Sequence, residues 1–167
     1  RINDYVTIVV KGRTDSANIP PHLLDALREM FKDTAAVGGA FWHDTPVEDL
    51  QGTESLVVLY GEGYGPKIQG GGKYREDASF VLFDVNVDGW WLSRENVNDV
   101  ARKLALDSVP VVGYGSLREA VETVKAGLVS IWGDFEAEGL VVRPTVPLFN
   151  RKGHRITTKI KARDFRV

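Results

Sequence analysis

The order of strand-like and helix-like segments along this 167-residue chain predicts an α+β fold of mainly antiparallel sheets with flanking helices. Three observations carry that reading. Strand-like runs rich in β-branched and aromatic residues gather towards both ends, with helical patterns between them. The two types do not alternate regularly, as a parallel doubly wound sheet would require. A content of 43% hydrophobic and 26% charged residues suits one compact domain, residues 1–167, able to bury a core.

The elements follow in order. Tyr5-Val-Thr-Ile-Val-Val10 reads as a strand. Pro20-Pro21 then introduces a helix over 22–32 that puts Leu23, Leu27, Met30 and Phe31 on one face. A second strand spans 55–60 and leads into a glycine-dense loop, 61–72. Strand 79–85 alternates Val81, Phe83 and Val85 with Phe80, Leu82 and Asp84 on opposite faces. Val97, Val100, Ala101 and Leu104 mark the next helix. Ser116 and Glu119 form a capping box for a helix over 116–126, which Gly127 ends. Strands over 139–143 and 155–162 complete the chain.

Composition narrows the function classes. Cysteine is absent, which excludes disulfides and thiolate metal sites and is compatible with a reducing cytoplasm. His22, His43 and His154 are too scattered to suggest a zinc site. No apolar run reaches the roughly 18 residues of a membrane span, and no leader-like segment opens the sequence, so a soluble cytoplasmic protein is expected. The net charge of −2 argues against binding nucleic acid through bulk positive charge. Its distribution is uneven: residues 151–167 hold seven Lys/Arg against the single acid Asp164, a balance of +6 that leaves −8 for the remainder. Such asymmetry permits a local phosphate-handling surface.

Several residues carry chemistry. In Tyr60-Gly-Glu-Gly-Tyr-Gly65, Glu62 stands at a strand end between glycines, where a carboxylate can accept hydrogen bonds from a ribose and a ligand can approach closely. Phe80-Val-Leu-Phe-Asp-Val85 places Asp84 in an apolar strand, where a buried carboxylate needs a partner, and beside it an aromatic, Phe83, able to stack a purine. Glu138 heads the apolar strand Gly-Leu-Val-Val. In Lys159-Ile-Lys161 both lysines project from one face of a strand, with Ile160 packed behind. Their mutual repulsion is relieved by an anion, and a triphosphate is a natural guest. Singly, each of these patterns also occurs on ordinary surfaces and in ordinary cores.

Together, and in this order, Arg13 in Gly12-Arg-Thr14, Glu62, Phe83-Asp84, Glu138-Gly-Leu-Val-Val and Lys159-Ile-Lys161 resemble the motifs of the covalent nucleotidyltransferase superfamily, and specifically ATP-dependent RNA ligases of the phage T4 RNA ligase 2 type. The resemblance covers nearly the whole chain and implies a ligase adenylation domain. It implies that Arg13 contacts phosphate of the adenylate or RNA end, that Glu62 binds the adenosine ribose, and that Phe83 stacks on adenine beside a structural Asp84. It further implies that Glu138 helps to place a divalent metal, Mg²⁺ or Mn²⁺, and that Lys159 and Lys161 contact the nucleotide phosphates. The implied catalytic set is Arg13, Glu138, Lys159 and Lys161.

The family nucleophile is a lysine in Lys-x-(Asp/His)-Gly, placed ahead of the arginine and therefore expected upstream of Arg1. Lys67-Ile-Gln-Gly70 follows Glu62 and reads as loop, with Lys67 a candidate nucleic-acid contact, and Lys11 lacks the motif altogether. The chain by itself is thus expected to bind ATP without adenylating itself. The implied reaction passes through lysyl-AMP and RNA-adenylate to join a 3′-hydroxyl to a 5′-phosphate, with RNA ends in a nicked duplex or RNA–DNA hybrid as partners and a monomeric enzyme acting in a cytoplasm, that of a phage host included. DNA ligases and capping enzymes share the core motifs and stay open as alternatives. So does a noncatalytic binding remnant.

Overall fold

The longest ladder among the described residues joins β1 (Val57–Tyr64) to β2 (Ser79–Val87) in antiparallel pairing. It is seen in a computed structural model that describes residues 6–14, 16–42, 54–68 and 71–166; Tyr5, His43, Gln69 and Gly70 lie outside the described residues. The ladder belongs to a four-stranded sheet in which β3 (Trp90–Trp91), antiparallel, and β4 (Asp107–Ser108), parallel, pair with opposite ends of β2. A separate antiparallel pair joins β5 (Gly139–Val142) to β6 (Thr158–Lys161). With helices packed on these strands, the architecture is the α+β arrangement that the segment order predicts.

The chain divides into two compact units, Arg1–Pro110 and Val111–Val167, each with its own apolar core. In the first, α3 (Arg94–Lys103) lays Val97, Val100 and Ala101 on Leu82 and Val85 of β2. Burying an aliphatic side chain fully is worth about 1.5–3 kcal/mol, so this contact is the main weight holding the helix to the sheet. Ser93 starts α3 by accepting a hydrogen bond from the Asn96 N–H. A second cluster brings Leu23 and Leu27 of α1 (Pro21–Met30) onto Ile68. Phe31 meets Phe80 edge to face, whereas Met30 turns out to 36% exposure instead of joining that face.

Two elements depart from the sequence expectation. Residues 6–10 form no strand and join neither sheet; Val10 packs on the Leu23–Leu27–Ile68 cluster instead. β-branched residues favour a pleated surface, yet a strand exists only where another edge supplies its hydrogen bonds. Conversely, α2 (Thr34–Trp42) has no counterpart in the sequence reading. Its run Thr-Ala-Ala-Val-Gly-Gly-Ala-Phe-Trp is apolar all round and holds two glycines, so it shows no helical periodicity. Asp33 caps it by accepting from the Ala36 N–H, and Phe41 completes the core under α3.

In the second unit, α4 (Leu117–Lys125) covers one face of the β5–β6 pair through Val124, which meets Ile160 and Ala162. The expected strand over 155–162 is shorter: only Thr158–Lys161 forms a ladder, and Arg155 makes an isolated bridge with Phe149. No helix among the described residues is long and apolar enough to cross a membrane.

The capping box of α4 is complete, with Ser116 accepting from the Glu119 N–H while the Glu119 carboxylate accepts from the Ser116 N–H at 2.7 Å. Substitution Ser116→Ala is expected to lower stability by about 1 kcal/mol in urea titration. Hydrogen bonds from the Ser116 backbone, then its hydroxyl, hold the Glu119 carboxyl below its ordinary pKa. Its contribution is therefore present above the usual glutamate range and lost as pH falls through the depressed value. Repeating the titration across that window checks this, and in Glu119→Gln the pH-dependent part should disappear.

Candidate functional site

The outer face of the first sheet is set by an irregularity in register. Tyr60 stands opposite Asp84 and Gly61 opposite Leu82, so Phe83 has no partner on β1 and forms a β-bulge. One extra residue exchanges the faces of everything beyond it. Phe80 and Leu82 before the bulge, and Val85 and Val87 after it, consequently all pack with the α3 core, which corrects the simple alternation expected over 79–85. Phe83 is half-buried and does not join that core. The opposite face carries Glu62 across from Val81 and Tyr60 across from Asp84.

Glu62 is exposed and lies inside β1, which continues to Tyr64, rather than at a strand end. Its flanking glycines serve packing rather than ligand access: a Cβ on Gly61 would strike the Phe80 ring, and one on Gly63 would strike Leu23. Asp84 is 7% exposed and, as a buried carboxylate must, it has an interaction partner. Tyr60 packs its ring at 5.0 Å from that of Trp91, a pair that sequence reasoning missed because nothing in the pattern signals that β3 folds back beside β1's partner. Neither Trp90, 80% exposed, nor Trp132, 37% exposed, is a core residue.

The bulge leaves the Phe83 carbonyl turned out of the ladder. Arg94, the first residue of α3, donates to it from Nη2 at 2.7 Å and to the Val109 carbonyl from Nη1 at 3.2 Å. One guanidinium thereby ties the candidate adenine-stacking residue to the helix start and to the segment after β4.

In the second unit the register pairs Val141 with Lys159, Gly139 with Lys161 and Leu140 with Ile160. Ile160 and Leu140 face α4, so both lysines project from the uncovered face, as the sequence predicts. Lys159 is exposed and Lys161 half-buried, and neither has a hydrogen-bond or ion-pair partner among the described residues. No Asp or Glu occurs between Gly139 and Arg163. Gly139 has φ of +143°, and a Cβ there would collide with the Ile160 carbonyl oxygen. That close approach seats Glu138, whose carbonyl accepts from the Ala162 N–H at 2.9 Å, at the Lys161 end of the ladder.

Arg13 is exposed in the loop before α1, near the turn in which the Ala17 N–H meets the Thr14 carbonyl. Lys67 sits in the tight turn Gly65-Pro66-Lys67-Ile68 at φ of +61°, a loop residue as its context implies. Thus Glu62, Phe83 and Asp84 come together on β1–β2, and Glu138, Lys159 and Lys161 on β5–β6.

A family model described as RNA ligase matches residues 17–161. The chain belongs to the RNA ligase family. No curated protein matches it. The matched span holds every candidate residue except Arg13 and ends on Lys161, which assigns the protein to enzymes of the ligase and nucleotidyltransferase kind. A divalent cation fits this RNA ligase only in one manner. Among the described residues no three His, Cys, Asp or Glu cluster to enclose an ion, whereas Glu138 is an exposed single carboxylate next to Gly139, at the Lys161 end of the β5–β6 ladder. Mg²⁺ held by one carboxylate and substrate phosphates needs no more.

Two substitutions test this geometry. Arg94→Met should cost roughly 1.5–3 kcal/mol by stripping a charged donor from two carbonyls, measured as a drop in the denaturation midpoint with secondary structure unchanged. Gly139→Ala should destabilise by at least about 1–3 kcal/mol, since both φ and the collision with a carbonyl oppose a side chain. Equal midpoints for Gly139→Ala and the parent would mean that β5 and β6 are not paired in this register.

Proposed function

We propose that this RNA ligase is ATP-dependent and of the RNA ligase 2 type, sealing RNA 3′-hydroxyl and 5′-phosphate ends through lysyl-AMP and RNA-adenylate. The observation that carries the reading is the pair Lys159 and Lys161, on one strand face turned away from α4 and without an ion-pair partner among the described residues, in a chain of this family.

Glu62 accepts hydrogen bonds from the ribose hydroxyls of ATP, and Phe83 stacks on its adenine. Lys159 and Lys161 take its phosphates, and Arg13 takes phosphate of the adenylate or the RNA end. In the first step a lysine amine, expected upstream of Arg1, attacks the α-phosphorus; the P–N bond forms, the α–β P–O bond breaks and pyrophosphate leaves. An oxygen of the RNA 5′-phosphate next attacks that phosphorus, breaking the P–N bond and freeing the lysine. The 3′-hydroxyl finally attacks the 5′-phosphate phosphorus, loses its proton and expels AMP. Negative charge on phosphate oxygens rises along each path, and fixed cations at that position lower the barrier without reorganising. Glu138 is the ligand for Mg²⁺ or Mn²⁺, which when bound supplies further positive charge to the phosphates.

In protein that carries the nucleophilic lysine, Lys159→Ala or Lys161→Ala should reduce sealing on the order of 100-fold or more. Both positions are uncovered, so stability should move by no more than about 0.5 kcal/mol. The decisive assay offers nicked RNA, RNA–DNA hybrid and DNA with ATP or GTP. Efficient sealing of DNA alone, or dependence on GTP, would overturn the proposal.

A further inference from the structure

Beyond the nucleotide-phosphate lysines, the second unit carries a separate ordered basic feature. The segment between β5 and β6 closes into a small hairpin: Phe149 bridges Arg155, the Ile156 N–H donates to the Leu148 carbonyl at 2.8 Å, and the Asn150 N–H to the His154 carbonyl at 2.9 Å. The Asn150 side-chain oxygen holds the tip from inside, accepting from the Lys152 N–H at 2.9 Å and the His154 N–H at 3.0 Å. Gly153, at φ of +76°, makes the turn possible.

This hydrogen-bonded tip presents Arg151 and Lys152, both exposed and without an acidic partner among the described residues, beside Arg155. It lies within the 25-residue stretch from Gly139 to Arg163 that contains no acid, on a chain whose net charge is −2. Phe149 and Leu148 flank it at 50% and 51% exposure. Like charges held together by an ordered turn repel one another in the absence of a counter-charge. A polyanion that also offers flat apolar faces complements both features, because nucleic-acid strands present phosphates to cations and bases to exposed aromatics.

We propose that the 148–156 hairpin is a contact for the phosphate backbone of the RNA strand, set back from the reacting end. The proposal rests on the RNA-ligase reading above. Lys159 lies four positions after Arg155, at most roughly 14 Å of extended chain. That span corresponds to no more than about four nucleotides at ~3.4 Å of rise per nucleotide in a strand. The hairpin therefore engages phosphates within a few nucleotides of the reacting end, which meets the nucleotide phosphates at Lys159 and Lys161, and it contributes affinity and register without reading sequence.

The test is fluorescence anisotropy with a 5′-phosphorylated, 3′-labelled oligoribonucleotide of roughly twelve nucleotides, titrated at several salt concentrations. The double variant Arg151→Ala/Lys152→Ala should bind on the order of tenfold more weakly and lose ~1.4 from the slope of log affinity against log salt, or ~0.7 for each contact. ATP binding, measured in parallel by calorimetry, should not change. The exchange Arg151→Lys/Lys152→Arg should retain the parent slope. Unchanged RNA affinity and slope in the alanine variant would overturn the hairpin contact and leave the ligase reading standing. Weaker binding with an unchanged slope would also overturn it, since no phosphate contact would have been lost. A parent protein that binds neither ATP nor RNA would remove the ligase reading and this inference together.

Discussion

One unpaired residue in β2 organises the first unit. Strand side chains alternate strictly, so a continuous β2 could not place both Phe80–Leu82 and Val85–Val87 against the same helix. The bulge at Phe83 permits it, and the core formed with Val97, Val100 and Ala101 depends on that change of face. The same shift delivers Glu62, Tyr60 and Asp84 to the other side. Arg94 stabilises the irregularity by donating to the carbonyl that the ladder has released. Core and candidate site are thus two outcomes of one register.

The second unit rests on a different constraint. β5 approaches β6 so closely at Gly139 that no side chain fits. Leu140 and Ile160 then turn towards α4, and Lys159 and Lys161 turn away from it. An apolar pair anchors the ladder while its lysines form no ion pair among the described residues, an arrangement favourable for an incoming anion because no internal ion pair must first be broken. The candidate carboxylate and aromatic residues Glu62 and Phe83 lie on the first unit, and Glu138, Lys159 and Lys161 on the second.

Glycine illustrates how one residue type serves different ends. Gly61 and Gly63 flank Glu62 and invite an explanation through ligand access, yet the space beside them belongs to Phe80 and Leu23. Gly139 next to Glu138 is required by a carbonyl of the neighbouring strand. Both are packing requirements, and each holds the backbone of an adjacent acidic residue in place.

Much of the protein was legible from local pattern. Periodicity located α1 and α3, the capping box located α4, and alternation placed Lys159 and Lys161 on one face; these signals act within a turn or a strand. The ordered motifs likewise pointed to the family that the match over residues 17–161 shows. What remained hidden depends on partners distant in sequence. Residues 6–10 have strand-like composition but pair with no strand among the described residues, and α2 is helical although its run of apolar residues shows no periodicity. The bulge at Phe83, the Arg94 tie and the Tyr60–Trp91 pair arise only when separate segments meet. The sequence by itself determined which residues could do chemistry and which elements bear most of them. Only the tertiary structure decided the faces they share, because register is chosen by the burial of whole strands against helices and no single strand encodes it.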